Sequence, residues 1–444
     1  MLRTLLRSPR LSADWTGNYE AKAVVWAEFA LDGAMAAASY VVAHSLDRVA
    51  TGMDLMVPLV LFGLFLSTWQ LHTHFHARFV ETSFLHYLLL YGVLAGVCSM
   101  VLSPIVGPAF GHGLLLTRIS ILAMYTNVFI VLPETRSRLA IDLVLLSTSI
   151  SLVLVSLVVD DSAALACYAG ALGIETVVQF LWAIKRWCLP PPSTAVVVPV
   201  SIDYIAERHG YYVVAVLSQS SLGVLFESAT LAPPIRQFHM SVHLSVLLLF
   251  TMAMFYFAIQ PPRELHAMRR SAVHGVFFVA IHYLLLPTLL VLGVATKRAM
   301  NAAVIDSQPL PPAAVWLLFG AISGAMVAML LLRLAHYGGR GPLDTDSPSV
   351  RRIKAYWWVP IGVSTLLPLG VALLLNVSRG ADPITALAAA AALLLLWVFA
   401  ETSVMHWIVA GPLRVGESNE TDPLLEGQLP RTRGRTCSFF SEDD

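Results

Sequence analysis

Residues 312–334 read PAAVWLLFGAISGAMVAMLLLRL, with one charged group, Arg333, next to the end. A helix rises 1.5 Å per residue, so a run of this length crosses the roughly 30 Å hydrocarbon core of a bilayer. Comparable runs recur at 24–46, 54–76, 84–106, 112–132, 139–159, 163–187, 211–231, 239–260, 271–295, 356–375 and 384–410. The pattern predicts about twelve transmembrane helices. Pro360 and Pro368 interrupt the weakest of these runs, 356–375.

The whole composition agrees. Of 444 residues, 57% are hydrophobic and 13% charged, with a mean hydropathy of +0.72. Soluble domains carry about 25% charged residues, so this chain has too few to cover a wet surface. The fold class is therefore an all-α integral membrane protein, with the lipid bilayer as its first partner. Net charge is zero, which gives no bulk basic field for nucleic acid. Cys98, Cys167, Cys188 and Cys437 are scattered and show neither a disulfide framework nor zinc spacing. The basic N-terminus lacks the continuous apolar core of a cleaved signal peptide.

Basic residues set the expected orientation. With the N-terminus in the cytosol, 22 of the 28 Lys and Arg residues fall on the tails and even-numbered loops. Five (Arg48, Arg236, Lys297, Arg298 and Arg379) fall on the opposite side. Both termini are thus expected to be cytosolic.

Comparison of the spans points to a chain built twice over. GIETVVQFLW at 173–182 is echoed by FAETSVMHWI at 399–408, and Glu28 and Glu207 each follow an Ala just ahead of an apolar run. Two parallel six-helix repeats are expected, related by an axis along the membrane normal. The organisation is then a cytosolic segment 1–23, a first repeat 24–187, a cytosolic linker 188–210, a second repeat 211–410 and a disordered cytosolic tail 411–444.

Four segments carry a resemblance. AERHGYYVVAVLSQSS at 206–221 resembles the ERxGLFxIIxLGES segment of the low temperature requirement A (LtrA) family of membrane proteins. WAEFALDGA at 26–34 is similar to that family's WxELFxDLVF opening. WQLHTHFHARFVET at 69–82 resembles its W…TxYxxRFDTDD block through Trp69, Thr73, Arg78 and Phe79. HYLLLPTLLVLGV at 282–294 resembles its GHLPLxxGxxxxGV segment through His282 and Pro287. The resemblance implies architecture more than mechanism, because the family brings no settled activity. The family's Leu-Gly-Glu-Ser is here Leu217-Ser218-Gln219-Ser220, so a membrane carboxylate has become a neutral amide.

Ionisable groups inside spans are expensive in hydrocarbon and should face the bundle interior with a partner. Glu28 and Asp32, four residues apart, share a helical face and suit a proton or cation site, or structural pairing with Arg78 or Arg208. Glu175 and Glu401 would be symmetry mates at the repeat interface, where transporters place coupling sites. Arg118 needs an anion, either an intramembrane carboxylate or a substrate. His282 reads as a core histidine or a proton relay. These six are the expected substrate or ion pathway. Arg78 and the run Glu207-Arg208-His209-Gly210 are expected to serve the motif or gating. His72 and His76 share a face but lack the third ligand a metal needs, so no metal is expected there and both read as interfacial.

No Walker loop, Gly-rich dinucleotide turn, HExxH or GxSxG occurs, so no enzyme, no catalytic residue and no cofactor is expected. Glu420 with Leu424 and Leu425 fits an acidic dileucine signal for sorting adaptors. That would place the protein in the plasma membrane or an endosomal, lysosomal or vacuolar membrane. The expected function is a transporter or channel for a small solute or ion, with proton coupling. The alternatives are a non-transporting sensor, scaffold or lipid-interacting protein, and a membrane-embedded lipid-modifying enzyme. Substrate and oligomeric state are not legible in the sequence.

Overall fold

A computed structural model describes residues 9–11, 26–47, 55–188, 198–229, 235–261, 265–306, 308–338, 341, 351, 358–376 and 381–415. The dileucine residues Glu420, Leu424 and Leu425 lie outside them. Two compact units are distinguished. One comprises Met1–Arg340 with Trp358–Val398, the other Gly341–Trp357 with Phe399–Asp444.

The long helices of the chain are α1 (Trp26–Leu46), α2 (Met56–Arg78), α3 (Phe84–Leu102), α4 (Pro108–Val131), α5 (Arg136–Ser156), α6 (Asp161–Cys188), α7 (Ile202–Ala229), α8 (Ile235–Ala258), α9 (Ala272–Asn301) and α10 (Pro312–Tyr337). They are followed by the shorter α11 (Trp358–Ser364) and α12 (Leu367–Asn376), and by α13 (Pro383–Val415). Among the described residues, nine helices are long and apolar enough to cross a membrane, with α11 and α12 counted together as one. The three further helices at expected spans, α1, α6 and α7, are the ones that carry Glu28 and Asp32, Glu175, and the Glu207-Arg208-His209 run. The run at 356–375, interrupted in sequence by Pro360 and Pro368, breaks into α11 and α12 through a turn at Thr365 and Leu366.

The elements end where their chemistry demands. Ser83 caps α3 by accepting a hydrogen bond from the His86 amide at 3.1 Å, and Ser271 caps α9 through the His274 amide at 3.3 Å. Pro108 and Pro312 occupy first-turn positions, where no amide hydrogen is missed. A two-residue strand, Arg10–Leu11, pairs antiparallel with Phe79–Val80 directly after α2.

Within the first unit α2 is the central helix. Phe62, Phe65, Trp69, Phe75 and Phe79 on or just beyond it are all fully buried. It packs against α1, α4, α6, α7 and α9. Helix α1 touches α2, α3, α7 and α9, and α7 touches α1, α2, α8 and α9. The α3–α4 pair is close because glycines face each other. A Cβ on Gly96 would lie 2.6 Å from the Gly113 carbonyl oxygen, and one on Gly113 2.7 Å from that of Gly96. Small residues are what let membrane helices approach backbone to backbone.

Candidate functional site

The four sequence segments singled out above meet at one end of the first unit, where α1, α3, α7 and α9 begin and α2 and α10 end. We call this the entry end. Arg208, fully buried, makes a two-pronged ion pair with Asp32, its Nη2 donating to Oδ1 at 2.8 Å and its Nη1 to Oδ2. The Trp69 indole N–H donates to the same Oδ1 at 2.9 Å. The guanidinium lies 5.4 Å from the Trp69 ring, which itself stacks on Tyr212 at 4.7 Å. His209 packs edge-on against Trp69 at 5.3 Å and against His282 at 4.5 Å. Residues 26–34, 69–82, 206–221 and 282–294 thus share one buried cluster although as many as 250 residues separate them.

A second group adjoins it. Glu28, 1% exposed, faces His76 at 3.6 Å and lies beside the Tyr204 hydroxyl. His76 packs on His72 at 4.4 Å and on His86 at 5.0 Å. His86 approaches Glu81 at 3.8 Å. Both sequence-read histidines are therefore interior rather than interfacial, because α2 is surrounded by helices up to its last turn. Burial raises the Glu81 carboxyl, against the lowering effect of hydrogen bonds from Ser83 and Asn127. Arg78 does not pair with Glu28. Its Nη1 donates to the His74 carbonyl at 3.5 Å.

Midway along the helices lies the other ion pair. Arg118 of α4 is fully buried and directs all its donors inward. Nε and Nη2 reach the two Glu175 oxygens at 2.6 and 2.8 Å, Nη1 reaches the hydroxyls of Thr68 at 2.6 Å and Thr117 at 3.2 Å, and Nη2 also reaches the Leu64 carbonyl at 3.5 Å. Glu175 of α6 accepts from Ser149 at 2.6 Å and from Ser67 as well. Four helices are tied together at this point.

Two cavities lie among these helices, and the smaller borders the pair at Glu175. One, of about 50 Å³, is lined by His74, Arg78, Tyr125, Arg138, Asp142 and Glu175 among others. It lies between the end of α2 and Glu175, mixes charged and polar side chains with Leu71, Leu145 and Leu146, and has room for a water or more. The other, of about 810 Å³, lies among α2, α6, α9 and α10 and is apolar. Thr176 and Thr288 turn their hydroxyls back to their own helices, to Leu172 and Leu284.

The remaining expected residues scatter. Glu207 is exposed and accepts from the Tyr211 hydroxyl. Gly210 faces Phe257, whose ring lies 3.2 Å from where a Cβ would stand. Glu401 of α13 is buried and belongs to the second unit, Glu175 to the first. Among the described residues no group of three His, Cys, Asp or Glu is placed to hold a metal ion.

A sequence model of the family described as "Bacterial low temperature requirement A protein (LtrA)" matches residues 32–411. The chain belongs to the LtrA family. No curated protein and no solved structure matches it. In this LtrA protein the amide at the family's carboxylate position, Gln219, is buried and lines a small pocket with Gly293 and Lys297. Sequence reading missed the partners that make the charges tolerable: Trp69, Thr68, Ser67, Ser149 and Tyr204. A hydroxyl in an apolar run is a weak signal, since most such groups bond their own helix, as Thr126 does to Leu122.

His266 stands outside the spanning helices, between α8 and α9. Burial pushes its imidazole down to about 4, against a raising effect of Asp203, with Arg269 pushing it further down. The folded pKa lies below the unfolded value near 6.5. The contribution to stability is therefore complete above about pH 6.5 and is lost as pH falls toward 4. We expect roughly 3 kcal/mol to disappear across that window. Thermal unfolding in detergent at several pH values checks this, and His266→Gln should flatten the curve by that amount.

Proposed function

We propose that this LtrA protein is a transporter or channel for a small solute or ion, with protons moving through its entry-end half. The observation that supports this most is the cavity of about 50 Å³ whose lining brings ionisable residues together, His74, Arg78, Arg138, Asp142 and Glu175. A charged group buried at the middle of a spanning bundle and bordered by a cavity with other ionisable residues is the arrangement expected of a relay or coupling site. The convergence of Glu28, Asp32, Arg208, His209 and His282 supplies further titratable groups on the same side. On this reading the entry end is cytosolic, as the basic residues argue.

The finer architecture is part of the same proposal. α1, α6 and α7 join the nine apolar helices to make twelve spans. The neighbours of α1 (α2, α3) are repeated around α7 (α8, α9), and the tightly packed α3–α4 pair is matched by α9–α10. That supports two parallel six-helix repeats.

The test is flux into liposomes holding the purified protein, beside Asp142→Asn. Asp142 pairs with Arg138 at 3.3 Å on one helix, so its loss should leave stability nearly intact. Flux is expected to fall roughly tenfold or more in the variant. Well-folded protein with no proton or ion flux of any kind would sink the proposal. In that case the lipid-interacting reading gains, since the crevice of about 810 Å³ is apolar.

A further inference from the structure

We propose that His266, His336, His209 and His282 form a proton path from the entry end into the bundle, gated by the ring of Phe278. The inference deepens the proton-coupled reading above and rests on it. It concerns a different set of residues from the cavity at Glu175.

The four histidines come from four places: the turn before α9, the end of α10, the second turn of α7 and the middle of α9. Their exposures are 5%, 0%, 0% and 1%. They form two pairs. The rings of His266 and His336 are 4.8 Å apart, and those of His209 and His282 are 4.5 Å apart. Phe278 touches all four, at 4.6 Å from His266, 5.6 Å from His336, 5.3 Å from His209 and 4.7 Å from His282.

The backbone dictates where each neutral ring carries its proton. The Ala267 amide donates to His336 Nδ1 at 3.0 Å, and the Met268 amide to His266 Nδ1 at 3.3 Å. A nitrogen that accepts is bare, so these two rings carry their hydrogen on Nε2. The inner pair is reversed. His209 Nδ1 lies 2.8 Å from the Ile205 carbonyl and His282 Nδ1 lies 2.7 Å from that of Phe278. A carbonyl only accepts, so here Nδ1 carries the hydrogen and Nε2 is bare. His282 Nε2 takes the Tyr256 hydroxyl at 3.1 Å, while His209 Nε2 has no hydrogen-bond partner among the described residues. Donors therefore stand at the entry side of Phe278 and acceptors at the inner side.

One hop then balances as follows. A proton from water binds His266 Nδ1 in place of the Met268 amide contact. The Nε2–H bond of the resulting imidazolium breaks and an N–H bond forms at His209 Nε2 as the Phe278 ring swings aside. His266 is left neutral and the positive charge has moved inward. Asp203 and Arg269 face His266, and Arg208, held by Asp32, adjoins His209. His336 and Tyr256 face His282. A stack of rings that serves packing alone would show the same tautomers but would not conduct.

The experiment uses full-length protein in phosphatidylcholine liposomes with an internal pH dye and an imposed potassium diffusion potential, without added solute. Phe278→Ala is expected to raise proton entry about tenfold or more, and Phe278→Ala/His209→Phe to return it to the wild-type rate. A folded Phe278→Ala protein that stays proton-tight overturns the path, whether or not the wild type moves solute. A leaking Phe278→Ala beside a wild type that moves no solute keeps the path and overturns the coupling reading instead. Should Phe278→Ala not fold, Phe278→Leu enters the same assay. Nitrogen-15 NMR of histidine-labelled wild type then reads the tautomers directly, and bare Nδ1 at His209 and His282 would overturn the assignment.

Discussion

Glu175→Gln is expected to destabilise the protein by about 3–5 kcal/mol, among the largest losses any single side chain here should produce. The substitution keeps volume and one carbonyl oxygen but removes the charge that Arg118 faces at 2.6 Å. Arg118 is fully buried, and its remaining partners, Thr68, Thr117 and the Leu64 carbonyl, are neutral. An uncompensated guanidinium in a low-dielectric interior is what makes the loss large. Arg118→Met/Glu175→Leu, which removes both charges together, should recover most of it. Denaturation followed by tryptophan fluorescence in detergent measures all three proteins. A double-mutant cycle then isolates the pair from its hydroxyl partners.

The same variant separates two roles for Glu175. A carboxylate that accepts from Arg118, Ser67 and Ser149 is well bonded, which suits a helix clamp. Glu175 also lines a small cavity with His74, Arg78, Arg138 and Asp142, which suits proton traffic. Severe instability with little change in flux per folded molecule assigns the clamp. Wild-type stability with flux abolished assigns the relay and removes the clamp.

How far the sequence could reach is seen in particular stretches. The run at 312–334 lies wholly within α10, because one charge in 23 residues leaves the backbone no better solvent than its own helix. The break at 356–375 was also readable, since Pro360 and Pro368 advertise it and the helix there divides into two. Asp32 and Arg208 were each legible as charges needing partners, and their pairing was one of the options the spacing left open. Their meeting with Trp69 was not legible, since no local pattern links residues 32, 69 and 208. His72 and His76 misled for a physical reason. The end of a spanning helix usually lies at the headgroups, but α2 stays enclosed to its last turn. Pairing of Glu28 with Arg78 was one option the sequence left open, and Glu28 instead faces His76, because the choice between them depends on helix rotation. That rotation follows from packing over the whole of α2, which a short motif does not encode.

Asp32→Asn is the second large effect, expected at about 3–5 kcal/mol for the same reason, an orphaned and fully buried Arg208. The two ion pairs nevertheless differ in a testable way. Arg118 is surrounded by hydroxyls, whereas Arg208 depends on one carboxylate and one aromatic face. Its Nε makes no hydrogen bond among the described residues. Arg208→Lys should therefore fail to substitute, because an ammonium supplies neither the two-pronged bond to Asp32 nor the planar stack on Trp69. Trp69→Phe keeps most of the ring but loses the 2.9 Å bond from the indole to Asp32, and about 1–2 kcal/mol should go with it. The order of loss, Asp32→Asn close to Arg208→Lys and both well beyond Trp69→Phe, is the expected result in thermal unfolding. Equal and small losses throughout would mean that the pair is solvated. That outcome would fit a water-filled entry between α1 and α7, where Asp32 exchanges partners during transport. The large, ordered losses instead make this pair a fixed hinge between the two proposed repeats.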